Sequence, residues 1–300
     1  MTGRFAIYAA PGAGSADAAA ALLRERAEQW LGRSVAGDPV RPAVPAGWTR
    51  AAIDAMTVSA RRYGFHGTLK APFRLAEGRT PEELDAALAQ FAKGRERVLI
   101  PRLRIGRLGG FFALIPGAGA PEEARVGERA AVGERAGVGE RAGAGEKAAV
   151  GGLTEEAAAA MAQAAGLYAL ADEVVTAFDG FRARPTEAEL ARRDPAALTP
   201  RQGELLKAWG YPYVLDEFRF HLTVTDRIPA AQQPAVERTL RGWFAASLGA
   251  TVPVDALALF TEAEPGAPFT LRAVHPLRAV HPLRAYPGAP TPATDSEGAR

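Results

Sequence analysis

The chain has 300 residues, 48% hydrophobic and 23% charged, the composition of a globular protein long enough for one large or two modest domains. It contains no cysteine, which excludes disulfides, thiolate nucleophiles and cysteine-based zinc sites. Lys and Arg number 36 against 34 Asp and Glu, a balance that does not suggest a duplex-binding surface and leaves a phosphate-bearing substrate open.

In chain order, RFAIYAA at 4–10 reads as a strand and residues 16–31 as a helix, with Ser15 as its N-cap. The first residues lack a charged leader with an apolar run behind it, and no segment reaches membrane-spanning length, so a cytoplasmic protein with no membrane partner is expected. PGAGS at 11–15 has neither G-x-G-x-x-G nor a G-K-[ST] ending; it reads as a loop leading into the helix, with amides that remain open to a phosphate. Residues 37–48 form a Pro- and Gly-rich loop. Residues 62–71 alternate as a strand, and residues 80–91 form a helix with Thr80 as N-cap, Pro81 first and Glu83 placed for a capping box. Strands at 98–105 and 108–115 are joined near Gly106.

Residues 117–152 change character: VGERA recurs at 126–130, 132–136 and 138–142, without one aromatic residue. Such a stretch cannot bury a core and reads as a flexible, charge-balanced insertion. Helices follow at 153–178, 186–193 and 200–209, the last capped by Thr199; then a strand at 217–226, a helix at 230–248, and strands at 252–260 and 269–274. RAVHPL is repeated at 272–277 and 278–283, ahead of a Pro-rich, polar end expected to be disordered. The expected organisation is a first lobe at 1–116, the insertion at 117–152, a second lobe at 153–280 and a tail at 281–300. The fold class is α+β, mostly antiparallel, with helices packed outside.

Two of the four histidines sit in one small frame: His66-Gly67-Thr68-Leu69 and His221-Leu222-Thr223-Val224. Alternation along a strand puts Phe218, Phe220, Leu222 and Val224 on one face, and Arg219, His221 and Thr223 on the other. The same alternation sets Tyr63, Phe65 and Leu69 against Arg62, His66, Thr68 and Lys70. One such histidine reads as a hydrogen-bonded structural residue; a pair in matched phase points to function. An imidazole exchanges a proton near neutrality, and a Thr hydroxyl donates to a non-bridging phosphate oxygen. Two units facing each other supply a base, an acid and two anion donors, the parts needed for in-line hydrolysis of a phosphodiester. Lys70 and Arg219 join Thr68 and Thr223 as candidate phosphate contacts, and Tyr211 and Tyr213 as candidate lining of the cleft. His275 and His281 owe their shared context to the RAVHPL copy and lack further ligands for a metal, so no metal or other cofactor is expected.

Paired H-x-T-hydrophobic motifs in two repeated lobes resemble the 2H phosphoesterase superfamily. The flanking stretches GRFAIYAAP, RRYGFHGTLKAPFRLAEG and ARRDPAALTPRQGELLKAWGYPYVLDEFRFHLTVTDRI resemble its DUF1045 family, associated with phosphonate metabolism, over residues 3–116 and 165–275. The resemblance implies a bilobal duplicated fold with two sheets facing a central cleft. It also implies metal-independent hydrolysis of a small cyclic phosphate ester, of the ribose cyclic phosphate class. Two alternatives remain at this point: an RNA 2′,3′-cyclic phosphodiesterase, disfavoured by the near-neutral charge, and a non-catalytic phosphate-ligand sensor, disfavoured because both His and both Thr are intact.

Overall fold

The computed structural model describes residues 3–41, 43–117, 155–191 and 198–279; the expected flexible insertion beyond Gly117, and the expected disordered tail with His281, lie outside the described residues. Nine strands run through them: β1 (Arg4–Ala9), β2 (Gly67–Phe73), β3 (Val98–Ile100), β4 (Arg104–Leu108), β5 (Phe111–Ile115), β6 (Leu222–Arg227), β7 (Val252–Val254), β8 (Ala256–Glu262) and β9 (Thr270–Pro276). Seven make one antiparallel sheet in the order β4-β5-β6-β2-β1-β8-β9, and β3 pairs with β7 in a second, two-stranded sheet. The mixed, antiparallel class expected from the sequence is therefore observed. The expectation of two facing sheets is corrected to one large sheet whose middle seam is very thin. Between β2 and β6 the ladder holds a single registered pair, Gly67 with Leu222. The sheet also interleaves the sequence: β1, near the start, pairs with β8, and β5 pairs with β6. A cut at 117–152 does not separate its strands.

One face of the sheet carries the main core. Phe5, Ile7, Leu69, Leu114, Leu222, Val224 and Leu257 meet apolar stripes from α1 (Ala18–Leu31), α4 (Pro81–Lys93), α5 (Glu155–Ala177) and α8 (Gln233–Trp243). Burying such side chains contributes roughly 1.5–3 kcal/mol each. On the opposite face of β1 and β8, Ala6, Tyr8, Ala258 and Phe260 form a smaller cluster with Phe269.

Capping chemistry follows the sequence in two places and departs from it in one. Thr80 with Glu83 starts α4, and Thr199 with Gln202 starts α7 (Pro200–Trp209), each as a full capping box. α1 starts two residues later than expected, capped by Asp17, because the Ser15 hydroxyl is taken by Asp255 of the β7–β8 connection. The strand expected from residue 62 begins only at Gly67; residues 58–63 form α3 (Val58–Tyr63), after a short α2 (Arg50–Ala55), and Gly64 at φ 76° turns the chain out of α3. The turn expected near Gly106 lies at Gly109 and Gly110, with φ of 53° and 98°, the pair of positive values a tight hairpin of this hand requires. Gly106 lies inside β4, where a Cβ would come within 2.2 Å of Ile115. The helix expected at 186–193 is α6 (Glu187–Ala191).

Candidate functional site

Both histidines stand at the seam. Because Gly67 pairs with Leu222 in antiparallel register, one step to either side sets His66 opposite Thr223 and Thr68 opposite His221. Leu222 and Gly67 face the core, so the four polar residues point away from it, as the alternation predicts. The segment leading into His66 is pinned from β6: the Asp226 carboxylate accepts from the amides of Ser59 and Ala60, both at 2.9 Å.

The two rings are held alike. His66 Nδ1 lies 2.9 Å from the Gly64 carbonyl, and His221 Nδ1 lies 2.8 Å from the Arg219 carbonyl, two residues back in each case. A carbonyl only accepts, so each Nδ1 carries the proton and each neutral ring presents a lone pair on Nε2. The Tyr8 ring stacks on His66 at 3.9 Å, and the Phe111 ring stands 5.7 Å from His221. Burial favours the neutral imidazoles. It pushes His66 down to about 4, helped by the positive charge His221 carries when protonated, and it lowers His221 as well.

Two contiguous cavities open over the seam. The smaller, about 370 Å³, is lined by His66, Tyr8, Tyr63, Thr223 and Arg4. The larger, about 740 Å³, is lined by His221, Arg219, Tyr213 and three further arginines. Thr68, Phe111, Tyr211 and Arg227 line both, so the histidines approach one continuous space from two sides. His66, His221, Thr68, Thr223, Arg219, Tyr211 and Tyr213 are thus brought together here.

Lys70 is not. An irregularity in the β1–β2 register pairs Tyr8 with Thr68 but Ile7 with Lys70, so Leu69 is an extra residue and the alternation breaks behind Thr68. Lys70 turns to the helical face, 4% exposed, where its ammonium donates to the Val175 carbonyl at 3.0 Å and to Asp179 at 3.3 Å. Burial lowers it to about 8, with Asp179 partly offsetting the cost. The expectation that Lys70 binds phosphate is therefore corrected by this bulge. The 11–15 loop lines neither cavity. His275 instead meets Asp85 at 2.7 Å. Among the described residues, no three His, Asp or Glu side chains are grouped as a metal site.

Other residues of the site escaped the sequence reading. Arg227 continues the period of Thr223 and Thr225 and could have been found that way. Tyr8 and Arg107 reach the cavities only through long-range strand order. The Tyr8 hydroxyl is buried with no hydrogen-bond partner among the described residues, although it belongs to a side chain lining the smaller cavity. A buried hydroxyl without a partner costs about 1–3 kcal/mol and calls for an explanation.

Residues 68–132 and 149–270 match the family described as protein of unknown function DUF1045, more than half of the chain and including Thr68, His221 and Thr223. The chain belongs to the DUF1045 family. It is also 34% identical, over 245 residues, to a protein of Janthinobacterium sp. (strain Marseille) named ribose 1,5-bisphosphate phosphokinase PhnN; the match covers 80% of this chain and 44% of that protein. A protein of the same name from Laribacter hongkongensis (strain HLHK9) is 32% identical over 269 residues, covering 89% of this chain and 50% of its own length. The chain thus spans about half the length of these relatives. No helix among the described residues is long and apolar enough to cross a membrane.

Proposed function

We propose that this protein is a metal-independent phosphodiesterase that opens a small cyclic phosphate ester with the His66–His221 pair, in a 2H-type site built around the β2–β6 seam. The observation that carries the reading is the matched ring geometry: two imidazoles, each held by its Nδ1 on a carbonyl two residues back, each opposite the other frame's threonine. In this reading His66 is the base and His221 the acid: burial lowers both imidazoles, and the charge of a protonated His221 lowers His66 further. His66 Nε2 takes a proton from water as the water oxygen bonds to phosphorus. The ester P–O bond breaks, and the leaving alkoxide takes the proton from His221 Nε2. The product is a phosphomonoester, and solvent exchange restores both imidazoles. The Thr68 and Thr223 hydroxyls donate to the non-bridging oxygens, and the unpartnered Tyr8 hydroxyl is a further donor on the His66 side. Each proton transfer contributes roughly 10²–10⁴-fold.

The relatives support the substrate class. Hydrolysis of a ribose 1,2-cyclic phosphate bearing a 5-phosphate yields ribose 1,5-bisphosphate, the compound in their name, which supports a role in phosphonate breakdown. The kinase activity in that name is not assigned to this chain, whose sequence contains no Gly-Lys pair and hence no phosphate-binding P-loop. A second reading, hydrolysis of an RNA 2′,3′-cyclic phosphate, draws on one observation: Phe111, Tyr211 and Tyr213 offer stacking faces beside arginines. Phosphorus NMR of turnover in ¹⁸O-water tests the reading. It predicts one ¹⁸O in the phosphomonoester product; a ligand that binds and is never hydrolysed would instead identify a sensor.

A further inference from the structure

The single rung between Gly67 and Leu222 is too little to set the two histidine frames against each other. In an unbroken ladder residues 62–66 would run beside 223–227; α3 and the turn after it stand there instead. Helical segments therefore meet the backbone of β6. The Val224 carbonyl accepts from the Trp30 indole at 2.8 Å, and the Asp226 amide donates to the Met56 carbonyl at 2.7 Å. These contacts fix α1 and the α2–α3 connection on β6, but neither reaches His66.

The Asp226 side chain reaches it through three hydrogen bonds in series. Its Oδ1 accepts from the Ala60 amide, the Ala60 carbonyl accepts from the Gly64 amide, and the Gly64 carbonyl accepts from His66 Nδ1, each at 2.9 Å. Its Oδ2 takes the Ser59 amide, so both oxygens are engaged in charge-assisted bonds. A helix of six residues does not hold its shape unaided. Arg33 closes the other end of α3, donating to the Arg61 and Arg62 carbonyls at 2.8 and 2.9 Å. Gly64 is packed so closely that a Cβ there would come within 2.0 Å of Val35. α3 is thus a short strut from the His221 strand to the His66 ring. His221 has a separate anchor: its carbonyl partner, Arg219, follows a turn tied to α7 by Arg201 with Asp216 and Gln202 with Glu217.

We infer that Asp226 is a positioning residue for His66: through α3 it holds the Gly64 carbonyl where that oxygen keeps the ring proton on Nδ1 and leaves the Nε2 lone pair free for the cleft. The inference rests on the hydrolase reading for the use made of that lone pair. Without Asp226 the strut loses its hold on β6. The ring is then free to turn, or to carry its proton on Nε2, the nitrogen that must be bare to take a proton from water.

The test compares wild type with Asp226→Ala, which removes both acceptors, and Asp226→Asn, which keeps one. A displacement near 1 Å costs about 10²-fold, so kcat per folded protein should fall about 10²-fold in Asp226→Ala, with KM within about threefold. Asp226→Asn should recover part of the loss, and it carries the same comparison if Asp226→Ala does not fold. Nitrogen-15 NMR of the imidazoles reads the ring without turnover. His66 and His221 should both show a protonated Nδ1 in wild type; in Asp226→Ala, His66 should shift toward the Nε2–H tautomer while His221 does not change. A His66 ring that keeps its signature, two rings that change together, or a fall in Tm with kcat unchanged would overturn the inference. A His66 ring that changes alone, with no ester hydrolysed by wild type, keeps the Asp226 tie and removes the hydrolase reading.

Discussion

Gly67 separates His66 from Thr68 and forms the single rung of the β2–β6 seam, so replacing it with alanine perturbs the site at its narrowest point. A Cβ there would lie 2.5 Å from Phe220 Cζ, 2.6 Å from Cε2 and 3.1 Å from Leu222 Cδ2. Relaxed carbon–carbon contacts sit at about 3.5–4.0 Å, so the seam must open by about 1 Å or Phe220 must leave its rotamer. Phe220 is fully enclosed, which makes the second route as costly as the first. Overpacking of this size costs about 1–3 kcal/mol, a fall in Tm of roughly 2–10 °C for a chain of this length. Opening the seam also moves each histidine away from the threonine opposite it, and a displacement near 1 Å costs about 10²-fold in kcat/KM. Thermal unfolding and hydrolysis of the preferred cyclic ester measure the two effects. Gly67→Ala/Phe220→Leu removes the obstructing ring atoms and should recover activity relative to Gly67→Ala. A Gly67→Ala protein as stable and as active as wild type would refute the close packing at the seam and the positioning role drawn from it.

Lys70→Met keeps the stem volume and leaves Asp179 with Arg182, which holds both carboxylate oxygens at 2.8 and 3.1 Å. KM should stay within about twofold while stability falls by about 1–2 kcal/mol; a KM raised tenfold would return Lys70 to the cleft. Because His66 titrates near 4 in the folded chain and near 6.5 when unfolded, the unfolded state binds the extra proton between those values. Denaturant unfolding should therefore show stability falling by up to about 3 kcal/mol as pH drops from about 6.5 to about 4, an increment missing in His66→Asn. The same shifts place the plateau of kcat/KM on the acid side of neutrality, its alkaline limb below the pKa of free imidazole because burial lowers His221. Tyr8→Phe removes a buried hydroxyl that has no partner, so Tm should hold or rise while kcat falls about tenfold; loss of Tm with kcat intact would make the hydroxyl structural.

The site was legible where chemistry and period are local. His66 with Thr68, and His221 with Thr223, share a face because each pair is two residues apart on an extended chain, and that phase survives in the fold. Thr80 and Thr199 cap as read because their partners lie three residues on. Ser15 does not, because Asp255, 240 positions away, recruits its hydroxyl. Lys70 was misplaced by one inserted residue, and a bulge leaves no mark in the alternation of side chains. Arg107 and Tyr8 could not be assigned to the cleft, since their faces depend on β4 lying beside β5 and on β1 lying beside β2. Arg227 needed only the period of β6 carried two residues further.

The most direct test of the central claim is hydrolysis in EDTA of ribose 1,2-cyclic phosphate 5-phosphate, 2′,3′-cyclic nucleotides and a short RNA ending in a cyclic phosphate. Wild type is run beside His66→Ala and His221→Ala. Turnover of the sugar phosphate should persist without metal and fall about 10²-fold or more in each variant. Activity that survives both substitutions, or that EDTA abolishes, would contradict it.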